Sequence, residues 1–155
     1  MFITIHAAVG IALTQNVISP LLGGIVGFVS HLVLDTIPHG DDVLGDRLRA
    51  KNWSRLKLGL IFGLPDLAIW SAGLAWYLVT QHPIYSTVVI ATACGAILPD
   101  LLWGLATFVP WRWLKTFDKF HERTHRLFGH NLLPMWAGFS LQGLILAATL
   151  LILLR

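Results

Sequence analysis

The sequence predicts an all-α fold: an integral membrane helical bundle of four to five transmembrane helices, forming a single domain over residues 1–155. Three observations predict it. Of the 155 residues, 55% are hydrophobic and only 12% are charged, whereas a soluble domain carries about 25% charged residues. Mean hydropathy is +0.70. The apolar residues also gather in runs of about 20 or more, the length of helix that crosses a bilayer core. This composition excludes an ordinary soluble domain, a disordered tail and a nucleic-acid-binding module. Cys94 is the only cysteine, which excludes an intrachain disulfide and a Cys-rich zinc module.

The elements follow in chain order. Residues 2–15 are apolar but short, and Asn16, Ser19 and Pro20 separate them from the next run. They predict a short or tilted helix packed against the second. No Lys or Arg precedes this run, so it does not read as a signal peptide. Residues 17–37 carry only His31 and Asp35 as polar ionisable groups, and 56–79 carry Lys57 at the edge and Asp66 within. Residues 84–109 carry only Asp100, and 132–154 carry no charge. That last run has no polar face to turn to water, which argues against a soluble five-helix bundle. Gln81, His82 and Pro83 form a tight turn between the third and fourth runs.

The bases sit in two places. Residues 40–57 hold five bases against three acids, and residues 110–130 hold five against two. Two spans separate these segments, so both lie on one side, and the positive-inside rule makes that side cytoplasmic. The expected location is therefore the cytoplasmic (inner) membrane. Trp53, Trp111 and Trp113 read as interfacial anchors.

Ionisable groups inside spans cost about 2.5–3.5 kcal/mol each on insertion scales unless they are paired or ligated. His31, Asp35, Asp66 and Asp100 are therefore the informative residues. Asp66 and Asp100 each lie about nine residues from the cytoplasmic end of their helices, roughly 13 Å deep. His6, His121 and His125 fall in the same half of the molecule. His31 and Asp35 are four residues apart and share a helix face. His121, Glu122 and His125 read as H-E-x-x-H, set in a polar, Arg-rich loop. Imidazole and carboxylate together suit zinc, iron, nickel or manganese. The candidate metal ligands are His6, His31, Asp35, Asp100, His121 and His125. One or two divalent transition-metal ions, zinc first, are expected. A shared site requires His31 and Asp100 within about 10 Å, since metal–ligand bonds are near 2 Å. Asp66 and Glu122 are the candidates for orienting or deprotonating water. Each residue has a plainer reading, as an interhelical hydrogen-bonding partner or a solvated loop side chain. His39 and His130 are weaker candidates, and His82 lies in the opposite turn.

Leu64-Pro65-Asp66-Leu67 is echoed by Leu98-Pro99-Asp100-Leu101, each with a Trp following, at 70 and 103. If the echo is structural, it sets matching acids on two adjacent antiparallel helices. Each proline frees a carbonyl, of Ile61 or Gly95, and bends its helix. Such a bend is either an ordinary kink or an opening for water or an ion.

Three segments resemble the YdjM-type membrane-bound metal-dependent hydrolases. Thr4, His6 and Gly10 resemble their T-x-H-x-x-x-G opening. Gly27, Ser30, His31, Leu34, Asp35 and Thr36 are similar to their G-x-x-S-H-x-x-L-D-T segment. Gly95, Ala96, Leu98, Pro99 and Asp100 resemble their G-A-x-L-P-D segment. Leu102 stands where that family has a second Asp. The resemblance implies a helical inner-membrane protein with a His/Asp metal site and a hydrolase activity.

The leading functional expectation is a metal-dependent hydrolase at the cytoplasmic membrane face. Its expected substrate is a phosphoester or ester, with a membrane lipid favoured because the site opens at headgroup depth. The basic segments either bind an anionic headgroup or serve only as topology determinants. Two alternatives remain. One is an intramembrane metalloprotease built on His121, Glu122 and His125. The other is a non-catalytic metal-binding or transport protein. Polar residues confined to one end of the spans favour a site over a channel.

Overall fold

The computed structural model describes residues 1–127 and 133–155; His130 lies outside them. The described residues form helices joined by turns, with no strand among them. α1 spans Ile3–Leu13, α2 Pro20–Leu34 and α3 Gly40–Arg49. α4 (Arg55–Leu58), a π-helical turn (Gly59–Gly63) and α5 (Leu64–Gln81) run on as one helix of 27 residues. α6 spans Ser86–Leu105, α7 Arg112–Thr124 and α8 Met135–Leu153.

Three helices are long and apolar enough to cross a membrane: Arg55–Gln81, Ser86–Leu105 and Met135–Leu153. α1 and α2 are apolar but shorter. α2 starts where Pro20 occupies the first turn and the Ser19 hydroxyl accepts the Leu22 N–H, so its 15 residues rise about 22 Å. The run 17–37 is thus helical for less than its apolar length. Between the two long helices, His82 adopts the left-handed conformation (φ 43°) that ends α5, and α6 begins at Ser86.

Proline explains the π turn. Pro65 has no N–H to return to Ile61, and the Leu64 N–H reaches back five residues to the Gly59 carbonyl. The helix keeps its course through a widened turn. In α6, Pro99 sits inside the helix and leaves the Gly95 carbonyl without its usual donor.

The core is the packing of α1 and α2 on α6. Its backbones approach very closely. A Cβ on Gly27 would meet the Thr92 carbonyl, and one on Gly95 would meet the Gly24 carbonyl. Gly23 and Gly27 are a small-x-x-x-small pair of the kind that lets helices approach in a bilayer. A second such contact lies between Gly138 of α8 and Gly40 at the start of α3. α5 leans on α1 more than on α6, although only a short turn links α5 and α6.

Residues 110–127 are mostly helix rather than loop. α7 is strongly amphipathic, with Leu114 and His121 buried while Trp113 and Phe120 stay exposed. Arg55 of α4 joins it through a two-pronged pair with Asp118 (3.1 and 3.2 Å). The two basic segments therefore sit at the same end of the molecule.

Candidate metal centre

Asp35 caps the C-terminus of α2 with a side chain only 1% exposed. Four imidazole nitrogens approach its carboxylate. His31 Nε2 is 2.9 Å from Oδ2, and the Nε2 atoms of His121 and His125 are each 3.1 Å from it. His6 Nε2 is 3.1 Å from Oδ1. Asp100 joins from α6, its Oδ1 being 3.7 Å from His31 Nε2 and 3.9 Å from His121 Nε2. Residues far apart in sequence, on α1, α2, α6 and α7, meet at one point.

Each approach has a local cause. His31 and Asp35 stand one helical turn apart on α2. The bare backbone at Gly27, one turn before His31, brings α2 against α6. There the His31 Nδ1–H donates to the Ala96 carbonyl at 2.5 Å. His121 and His125, at the end of α7, both reach Asp35 because four residues return a helix to the same face. His6 is fully buried in α1, its ring stacked on His31 with centroids 3.8 Å apart.

The bond to Ala96 fixes the chemistry of His31. A carbonyl only accepts, so Nδ1 carries the proton, and in a neutral ring Nε2 presents a lone pair. That lone pair faces the Asp35 carboxylate and, at 3.2 Å, the His121 nitrogen. Two acceptors at 2.9 Å need positive charge between them, either a proton or a metal ion. Metal-bound histidines characteristically donate their other N–H to a carbonyl or carboxylate in this way.

The spacing fits an ion. Bonds of about 2.0–2.1 Å in a tetrahedral site set neighbouring ligand atoms roughly 3.3 Å apart. Five of the six separations among His31, Asp35, His121 and Asp100 run from 2.9 to 3.9 Å, and all lie within 4.8 Å. These four residues form a group that could hold a metal ion, and His31, Asp35 and His121 are buried. Asp35, His39 and His125 form a second such group sharing Asp35. The His39 Nδ1–H donates to the Ile37 carbonyl at 2.7 Å, so its Nε2 points a lone pair inward, where it accepts from the Met1 ammonium at 2.5 Å.

A polar network backs the second group. Asp41 Oδ1 lies 3.5 Å from His39 Nε2 and accepts from Gln142 Nε2 at 2.8 Å. Gln142 Oε1 accepts the Phe2 N–H at 3.0 Å. The Met1 nitrogen is 3.2 Å from Asp35 and 3.1 Å from Asp41.

Asp66 and Glu122 lie outside the two ligand groups. Asp66 receives the N–H groups of Ile3 (2.5 Å) and Thr4 (3.3 Å) and the Thr4 hydroxyl (2.6 Å). It caps α1 from another helix, satisfying N–H groups that a helix start leaves unpaired. The two L-P-D-L segments therefore do different work: Asp100 reaches the imidazoles and Asp66 the start of α1. Glu122 pairs with Arg55 (3.8 Å) and Arg126 (3.6 Å). It lines a polar cavity of about 200 Å³ together with Asp100, His121 and His125.

His39, a weaker candidate by sequence, belongs to the second ligand group. Gln142 was missed altogether. Its signal was available: it is an amide inside an otherwise uncharged span. No family model, curated protein or solved structure matches this chain.

Proposed function

We propose that the chain is a membrane-embedded, metal-dependent hydrolase of phosphoesters, with its centre at the cytoplasmic face of an inner membrane. One observation carries the reading. His31, Asp35, Asp100 and His121 present two nitrogens and two carboxylates at ligand spacing beside an open polar cavity. The resemblance of residues 4–10, 27–36 and 95–100 to the YdjM-type hydrolases supports the same reaction class.

A divalent transition ion, zinc in first place, would supply the Lewis acidity that makes water nucleophilic near neutral pH. The remaining tasks fall to the chain. The Ala96 carbonyl holds the His31 ring in its ligating tautomer. Glu122 stands on the cavity wall as the group to take a proton from the attacking water, its carboxylate steered by Arg55 and Arg126. Asp66 fixes the start of α1 and so the position of His6 against His31. His39 and His125 provide for a second ion sharing Asp35.

A protease reading uses His121 and His125 with Glu122 as base, and the helical setting of that motif favours it. The two readings part on substrate.

The test is elemental analysis of detergent-purified protein, wild type beside His31→Ala and Asp100→Ala. One or two equivalents of metal, lost in both variants, support the centre. Hydrolysis of bis(p-nitrophenyl) phosphate that disappears with the metal supports the reaction. Folded, chelator-free protein without metal overturns both. Cleavage of casein with no turnover of the diester moves the assignment to the protease.

A further inference from the structure

The polar cavity at the metal centre shares a wall with a second, larger cavity of about 420 Å³. Asp41, Asp100, Leu58 and Trp103 line both. Away from that wall the larger cavity is mainly apolar, bounded by side chains such as Leu48, Phe62, Leu64 and Leu101, with Asp66 as its further acid. Phe62, Leu64 and Leu101 remain exposed in the isolated chain.

Four glycines line this cavity: Gly45 of α3, Gly59 and Gly63 at the ends of the π turn, and Gly104 of α6. A Cβ on any of them would meet nothing within 4 Å. Packing does not demand glycine at these positions. Glycine in a helix interior costs roughly 0.5–1 kcal/mol relative to alanine. All four border this one open space. The π turn, a feature that concentrates at functional sites, forms part of the same wall.

Along the helix the lining runs from Leu58 to Leu67, about 13 Å of rise. That is close to the depth of one leaflet of a hydrocarbon core roughly 30 Å thick. At the polar end, Arg49 and Arg126 stand beside the candidate ligands. Each is shared with one carboxylate, Asp46 or Glu122.

We propose that the apolar cavity holds an acyl chain of a membrane phospholipid whose phosphate enters the polar cavity, so that the substrate is a phospholipid. This rests on the hydrolase reading for the reaction but not for the binding. The shared wall carrying Asp100 is what places a phosphate beside the centre when a chain lies in the cavity.

The experiment compares wild type with Gly63→Leu and Gly104→Leu, which add bulk at two positions lining the space and lie outside the ligand groups. Helix content by circular dichroism and bound metal are measured first, and two variants on different helices guard against one failing to fold. Protein purified in detergent is extracted and its phospholipid quantified by mass spectrometry. Wild type is expected to retain phospholipid, and the variants to retain about tenfold less with unchanged metal. In vesicles of phosphatidylethanolamine and phosphatidylglycerol, hydrolysis is expected to fall about tenfold in the variants, with bis(p-nitrophenyl) phosphate turnover unchanged. Wild-type lipid retention in either folded variant overturns the proposal. Lipid lost in the variants with no hydrolysis of any ester keeps the cavity and removes the hydrolase.

Discussion

Glycine does opposite work on the two sides of α6. Toward α1 and α2, Gly27 and Gly95 lie against backbone, and no side chain fits. Toward α3 and the π turn, Gly45, Gly59, Gly63 and Gly104 border empty space. The first set builds the core and brings the His31 ring to the Ala96 carbonyl. The second preserves an opening beside the same centre. The same residue type thus marks rigidity on one face and access on the other, and only the neighbouring atoms distinguish them.

The largest effect is expected at Gly27. Gly27→Leu forces α2 away from α6, and overpacking of this kind costs about 1–3 kcal/mol or more when backbone is the obstacle. The expected result is a lower thermal midpoint together with loss of bound metal, measured on the same sample. Unchanged metal would mean that close approach of the two helices does not position His31. Next in size is Asp66→Ala, which strips the cap from α1. Cap removal costs about 0.5–2 kcal/mol, and His6 loses its fixed position. Detergent-solubilised protein should melt earlier but retain metal, because Asp66 is outside the ligand group. Metal loss equal to that of Asp100→Ala would return Asp66 to the centre.

A smaller, reversible change comes from acid. Protons compete with metal for imidazole nitrogens, so dialysis at about pH 4.5 should release metal and dialysis back to neutral pH with the ion should restore it. Metal retained through the acid step would argue against an imidazole-rich site. The smallest effect sharpens the contrast. Gly104→Ala meets no obstacle and removes a poor helix former, so stability should rise by up to roughly 1 kcal/mol. The same substitution at Gly95 should lower it. Equal effects at the two positions would erase the distinction between packed and open glycines.

Much of the architecture was legible because hydrophobic length is a one-dimensional signal. The runs 56–79, 84–109 and 132–154 need no partner to be recognised. His31 and Asp35 were legible because helical spacing alone puts them on one face. α7 was harder to read. Its bases and acids suggested a loop, whereas Leu114, Phe117 and His121 recur at the spacing of a helix that is polar on one side. The task of Asp66 was hidden because its partners are backbone N–H groups of Ile3 and Thr4, which leave no mark in sequence. Gly45 and Gly27 look alike as letters, and their difference exists only after the helices have packed.

The spread of the ligands along the chain has a thermodynamic consequence. An ion bound by His31, Asp35, Asp100 and His121 would act as a removable cross-link among α2, α6 and α7. It would close long loops without a covalent bond. Stability would then depend on the free metal concentration as well as on sequence. Linkage gives about 2.7 kcal/mol for an ion at a hundred times its dissociation constant. Metal supply would set how firmly α7, the polar helix at the edge of the bundle, stays docked.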